Sequence, residues 1–219
     1  LASMGIYVFE PQVLTSLLMA DDADDFGKHI IPAAIEKLDV FAHTFDGYWE
    51  DIGTIEAFYR ANLALTEEQP QFSFYQPDAP IFTHQRFLAG TRFLNCRADR
   101  AIVAEGCTLT EAEIEQSVIG VRSQMAPGSR VFQSIVMGAD YYESEAQRRV
   151  NREMGVPDIG IGAGSTIHHA IIDKNARIGE KVVISNDARV RELDGEGYYI
   201  REGIVVVPKD GVIADGMRI

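Results

Sequence analysis

The sequence predicts an α/β segment over residues 1–66 followed by a parallel β-helix over residues 91–219, the two joined by a linker at residues 67–90. Three observations carry this reading. The first stretch alternates short β-rich runs with helical periodicity, the second holds Pro70, Pro77 and Pro80 among polar and aromatic residues, and from about residue 91 aliphatic residues recur every six.

In the first segment, Ser3 to Phe9 is short, apolar and β-rich, as a buried strand would be. Pro11 suits the first turn of a helix whose apolar stripe is Val13, Leu14, Leu17 and Leu18. A second helix is predicted from Phe26 through Ile30, Ile31, Ala34 and Ile35 to Leu38, and a second strand over Val40–Phe45. A third helix presents Ile55, Phe58, Tyr59 and Leu63 on one face, with Thr54 as its N-cap and Glu56 near its positive end. The prolines make residues 67–90 a fairly stiff surface connection.

The six-residue period fits neither an amphipathic helix nor an alternating strand. Ile119, Met125, Val131 and Met137 form one series, Ile161 and Ile167 a second, Ile172, Ile178 and Ile184 a third, and Val207, Ile213 and Ile219 a fourth; Ile102, Thr108 and Ile114 fit with one polar member. A three-sided coil with one hexapeptide per face accounts for all of them. The aliphatic side chain points inward onto its equivalent one coil away, and the small residue that often follows it, as in Ile119-Gly120 and Ile161-Gly162, lets the chain turn the corner. Breaks at 138–160 and 185–206 read as excursions from the coil.

Composition narrows the function classes. With 20 Lys plus Arg against 33 Asp plus Glu, the net charge of -13 disfavours a nucleic-acid or anionic-lipid face. An anionic ligand needs a local cluster of cations. No apolar run reaches the length of a membrane span. The start, LASMGIYVFEP, has neither an initiator Met nor a signal-peptide pattern, and reads as a cut through a larger protein. Cys96 and Cys107 lack metal-ligand spacing and are expected to be free thiols, with the cytosol as the expected compartment.

Several phrases are long enough to carry a resemblance: ASMGIYVF at 2–9, DFGKHIIP at 25–32, GYWEDIGTIEAFYRANLALT at 47–66, FSFYQPDAPIFT at 72–83, SVIGVRS at 117–123, MGADYYE at 137–143, AIIDKNARIG at 170–179 and GIVVVPKDGVI at 203–213. In this order they resemble the C-terminal half of the glucose-1-phosphate adenylyltransferases (ADP-glucose pyrophosphorylases), with wording nearest the cyanobacterial and plant branch. The resemblance implies the C-terminal part of a Rossmann-like nucleotidyltransferase domain followed by a left-handed β-helix. It also implies the reaction of ATP with glucose 1-phosphate to give ADP-glucose and pyrophosphate for glycogen or starch synthesis, under allosteric control. A homo-oligomer, a tetramer in the complete enzyme, is implied too, as is a plastid location for a plant source. The family's Gly-rich nucleotide loop and catalytic basic residues would lie before this chain's start, so the chain alone is expected to be inactive. The run Gly160-Ile161-Gly162-Ala163-Gly164 keeps hexapeptide register and reads as turn glycines, not as that loop.

By the same resemblance, Ser3, Tyr7, Asp25, Phe26 and Trp49 line the glucose 1-phosphate pocket, Asp51 is a ligand of Mg²⁺, and Lys174, Lys209 and Arg86 form an allosteric anion site for a phosphorylated metabolite or phosphate. Each has a plainer reading. Asp51 can be a turn residue bonded to the backbone two residues on, Tyr7 and Phe26 can be core, and the three cations can be solvated surface charges. The segment His84–Gly90 departs from the family's wording, which weakens the transfer to Arg86. His168 and His169 in a hexapeptide coil leave acyl transfer from acetyl-CoA as an alternative. A non-catalytic assembly or regulatory module is another.

Overall fold

The computed structural model describes residues 3–20 and 25–219, and its contacts divide the chain into two units, Leu1–Gly47 and Tyr48–Ile219.

In the first unit, Pro11 opens α1 (Pro11–Ala20), with Val13, Leu14 and Leu17 half-buried. The second predicted helix begins as a wide π-turn over Phe26–Ile30 and continues as α2 (Ile31–Lys37), burying Ile30 and Ala34. The widening falls directly before Pro32, which has no N–H to give and whose ring would crowd the carbonyl one turn back. The two predicted strands are not formed. Residues 3–9 and 40–45 pair with no strand among the described residues, and Val8 is 98% exposed. Both runs have strand composition, but a strand needs hydrogen-bonding neighbours, and composition does not supply them.

The second unit is a left-handed parallel β-helix with one helix laid on it. Its first face is a six-stranded parallel sheet whose inward column is Leu109, Met125, Ile161, Ile178 and Ile213. The second face stacks Ile114, Val131, Ile167 and Ile184, and the third stacks Ile119, Val136, Ile172 and Val207. All of these side chains are buried. The strand Glu113–Ile119 runs through the corner between second and third faces and pairs along its length with Arg97–Val103. At that corner Gln116, Gln133 and His169 take left-handed backbone angles, with φ of 45°, 43° and 55°.

That corner corrects the six-residue series. The inward step across it is five, as from Ile114 to Ile119, Val131 to Val136 and Ile167 to Ile172. Val136 therefore stacks in the core where Met137 was expected, and Met137 packs on the outer side of the face. Likewise Val103 and Leu109 point inward, while Ile102 is exposed and Thr108 half-buried. The small corner residues are sterically required: a Cβ on Gly120 would lie 2.3 Å from the Met137 carbonyl oxygen, and one on Gly162 2.3 Å from that of Gly179.

The outer side of the third face is covered by α3 (Ile55–Ala64), capped by Thr54 as the sequence predicts. Tyr59 and Leu63 pack on Ile135, Ile171 and Ile204. The Tyr59 hydroxyl donates to the Gln133 carbonyl at 2.5 Å, and the Glu56 N–H donates to the Glu202 carboxylate at 2.7 Å. A parallel sheet buried on both sides is the expected outcome.

Both excursions leave the coil at corners. The first carries α4 (Glu145–Met154), closed by Gly155 at φ 66°. The second forms an antiparallel pair, Leu193–Asp194 with Tyr199–Arg201, before Ile204–Val207 rejoins the coil. Glu143 ties the first excursion down. Its Oε1 accepts from Arg177 at 2.7 Å and from the Asn151 amide at 2.8 Å, and its Oε2 from the Ile159 N–H at 2.8 Å. Burial pushes the Glu143 pKa up, but these donors outweigh it and hold the group below its ordinary 4.5. Among the described residues no helix is long and apolar enough to cross a membrane.

The Glu143 and Arg177 side chains are only 2% and 16% exposed, so Glu143→Ala strands a cation and is expected to cost about 3–5 kcal/mol in urea unfolding. Because the folded pKa is depressed, the ionised Glu143 contributes its full stabilisation above pH 4.5 and loses it as pH falls through the folded value. Glu143→Gln should therefore flatten the acid limb of the stability profile.

Candidate functional site

Three strands of the third face end at the same corner, and each delivers one charged residue to it. Lys174 lies two residues after Ile172, Lys209 two after Val207, and Asp140 follows Val136 on the preceding coil. Parallel register stacks the three. The Lys174 ammonium lies 2.9 Å from Asp140 Oδ1 and the Lys209 ammonium 2.7 Å from Oδ2. Asn175, buried and at φ 61°, braces the group. Its Oδ1 accepts from the Asp140 N–H at 2.8 Å, and its Nδ2 donates to Asp140 Oδ2 at 3.3 Å and Asp210 Oδ1 at 3.0 Å. Lys209 and then Lys174 hold the Asp140 carboxyl far below the usual carboxylate range, and Asp140 in turn raises the Lys209 pKa.

Asp140 carried no assignment from the sequence, although it stands in the MGADYYE phrase. A usable signal was its separation of 34 residues from Lys174, close to the 35 between Asn175 and Asp210. The excursions inflate both intervals and hide the coil-to-coil equivalence. Arg86 stays outside the group: it is exposed, its guanidinium donates to the His84 carbonyl at 3.4 Å, and no hydrogen bond or ion pair ties it to Asp140.

In the first unit, Ser3, Tyr7 and Phe26 come together, and Asp25 stands next to Phe26 in the chain. Ser3 Oγ and Tyr7 Oη lie 3.0 Å apart, and the Tyr7 ring stacks on Phe26 with centroids 5.9 Å apart and planes 13° from parallel. Asp25 is the cap of the π-turn, its Oδ1 accepting from the Lys28 N–H at 2.8 Å, a bond that lowers its pKa. The cluster offers hydroxyls and a carboxylate beside an aromatic pair, the groups that bind sugar hydroxyls and cover the apolar side of a pyranose. Trp49 and Asp51 belong to the second unit. Trp49 is exposed, and Asp51 Oδ1 accepts from the Gly53 N–H at 2.9 Å, the local turn bond of the plainer reading. Among the described residues no group of three or more His, Cys, Asp or Glu side chains is placed to hold a metal. Asp51 alone does not make a magnesium site.

A family model described as the GLGC left-handed parallel beta-helix domain matches residues 86–217. The chain belongs to that family. A second family model, nucleotidyl transferase, matches residues 1–68, so the GLGC β-helix follows a segment of nucleotidyltransferase type.

Within the GLGC β-helix domain His169 contacts α3, whereas His168 is exposed and bonds a side chain of the coil. His169 Nδ1 lies 3.0 Å from the Tyr59 hydroxyl, and His168 Nε2 lies 3.1 Å from Gln133 Oε1. Burial, then the neighbouring His168, lowers the His169 pKa. Ile161 keeps hexapeptide register on the first face and Gly164 lies in the turn that follows, whereas Gly160 is part of the strand and not of a turn.

The Asp140 corner makes a direct prediction for the GLGC domain. In Asp140→Asn the Lys209 ammonium loses its main partner, so its pKa should fall back towards the ordinary lysine value, read from the pH titration of the lysine side-chain nitrogen by NMR. A Lys209 titration identical in both proteins would contradict the ion pair.

Proposed function

We propose that this chain provides the sugar-phosphate wall and the regulatory β-helix of a glucose-1-phosphate adenylyltransferase, which forms ADP-glucose and pyrophosphate from ATP and glucose 1-phosphate. The observation that carries the reading is the pairing of two lysines at one corner of a GLGC β-helix, in a chain whose first 68 residues match nucleotidyl transferases. Lysines gathered at a single point on a chain of net charge -13 are held there by an anion, in this structure the Asp140 carboxylate. In this proposal Lys174 and Lys209 bind a phosphorylated metabolite or phosphate; Arg86, which stays outside the pair, would join as a further cation only by moving towards it.

The substrate side rests on the family resemblance, with residue chemistry that suits it. On the first unit, Ser3, Tyr7 and Asp25 would bond sugar hydroxyls and the Tyr7–Phe26 stack would cover the ring; on the second, Trp49 is proposed as a sugar-phosphate contact. Their work is positioning: attack of the sugar phosphate on the α-phosphorus of ATP gains most from fixed geometry and neutralised charge. Asp51 is proposed as one carboxylate of a Mg²⁺ site that needs ligands besides itself. The enzyme is proposed to act in the cytosol, or in a plastid for a plant source, as a homo-oligomer.

Two measurements test this. In the enzyme that carries these residues, the combined Lys174→Ala and Lys209→Ala substitution should weaken the response to 3-phosphoglycerate or fructose 1,6-bisphosphate by about tenfold or more; an unaltered response would end the regulatory reading. Trp49 is the only tryptophan, so its emission reports on one place. Glucose 1-phosphate should change that emission saturably where glucose alone does not, and an emission blind to the sugar phosphate would remove Trp49 from the substrate wall.

A further inference from the structure

The two lysines are already occupied. Each ammonium rests on a separate oxygen of one carboxylate, at 2.9 Å and 2.7 Å, which is how two cations would share two oxygens of a phosphate. Asp173 and Asp210 flank the pair, Asp173 Oδ1 accepting from the Lys174 N–H at 2.6 Å and Asp210 Oδ1 accepting from Asn175 at 3.0 Å. With Asp140 in place the corner sets three carboxylates against two ammonium groups, so it does not attract a further anion. The group is nonetheless open to solvent: the side chains of Lys174, Lys209 and Asp140 are 36%, 53% and 35% exposed. Asn175 holds the Asp140 backbone N–H, so the carboxylate can swing out without moving the chain.

We infer that Asp140 is a tethered stand-in for the effector, holding Lys174 and Lys209 in their ligand-binding geometry and selecting for an incoming group of more than one negative charge. The inference rests on the lysine pair being the anion site proposed above. A tethered carboxylate competes at high effective concentration, so a free monoanionic carboxylate gains nothing by exchange. A phosphate dianion brings a second charge and further acceptor oxygens, and can displace it. Asp140 thus weakens binding of every anion and separates phosphates from carboxylates.

The test uses the 219-residue chain with inorganic phosphate and acetate as probes at about pH 8, where phosphate is dianionic. Calorimetric titration should find phosphate bound about tenfold or more tightly by Asp140→Asn and by Asp140→Ser than by the unmodified chain, the gain vanishing when Lys174→Ala and Lys209→Ala are added. Acetate should bind the unmodified chain far more weakly than phosphate. In the unmodified chain, saturating phosphate should also shift the Asp140 carboxylate carbon resonance, a readout that requires no variant to fold. Lysine-dependent phosphate binding of equal strength with and without Asp140, and an unmoved Asp140 resonance, would overturn the stand-in role and leave the anion site intact. Phosphate binding that ignores the lysines, or none in any protein, would remove the anion site and this inference with it.

Discussion

The fold depends on parallel register between successive coils. Once Ile114 lies beneath Val131, and Val131 beneath Ile167, every residue on a coil is committed to a place above its equivalent. The interior is then three aliphatic columns, and each corner becomes a column in its own right. Glycines recur at corners because the next coil's carbonyl occupies the space a Cβ would need, as at Gly120 and Gly162. Charged side chains cannot enter the columns, so they collect at the corners, where register brings residues distant in sequence into contact.

The Asp140–Lys174–Lys209 group is a product of this geometry. Nothing local brings these residues together; they meet because Val136, Ile172 and Val207 stack. The same register provides Asn175 as a buried brace and fixes the distances on which any shared ligand depends. Glu143 performs a comparable task a few residues on, pinning the α4 excursion to Arg177 so that the segment bearing Asp140 leaves the coil at a defined point.

Much of this was legible in the sequence, because burial in a solenoid is periodic. The third and fourth series placed Ile172, Ile178, Ile184, Val207 and Ile213 in the core, and both excursions fell where the period broke. The error at Met137 has a definite cause: the corner through Gln133 is one residue tighter than the corner before it, from Met125 to Val131, and a strict six-residue count passes over it. Three helices were readable from caps and stripes, Thr54 above all, while α4 was foreseen only as an excursion; residues 3–9 and 40–45 look like strands by composition and lack partners among the described residues. For the candidate site, the resemblance supplied both lysines but not the carboxylate between them. Ion pairing across coils leaves no mark on local sequence, and the two excursions obscured the spacing that would have exposed it.

The second excursion has a consequence for assembly. It lies between the strand that supplies Lys174 and the strand that supplies Lys209, so the pair cannot form until the chain has built the antiparallel loop and returned to the coil. Closing such long-range contacts is slow, because loop entropy is lost before any contact compensates. Whatever occupies that corner therefore binds only a chain whose coils have zipped shut as far as Lys209. Occupancy would brace those coils against fraying, linking the loading of the corner to how long the molecule survives.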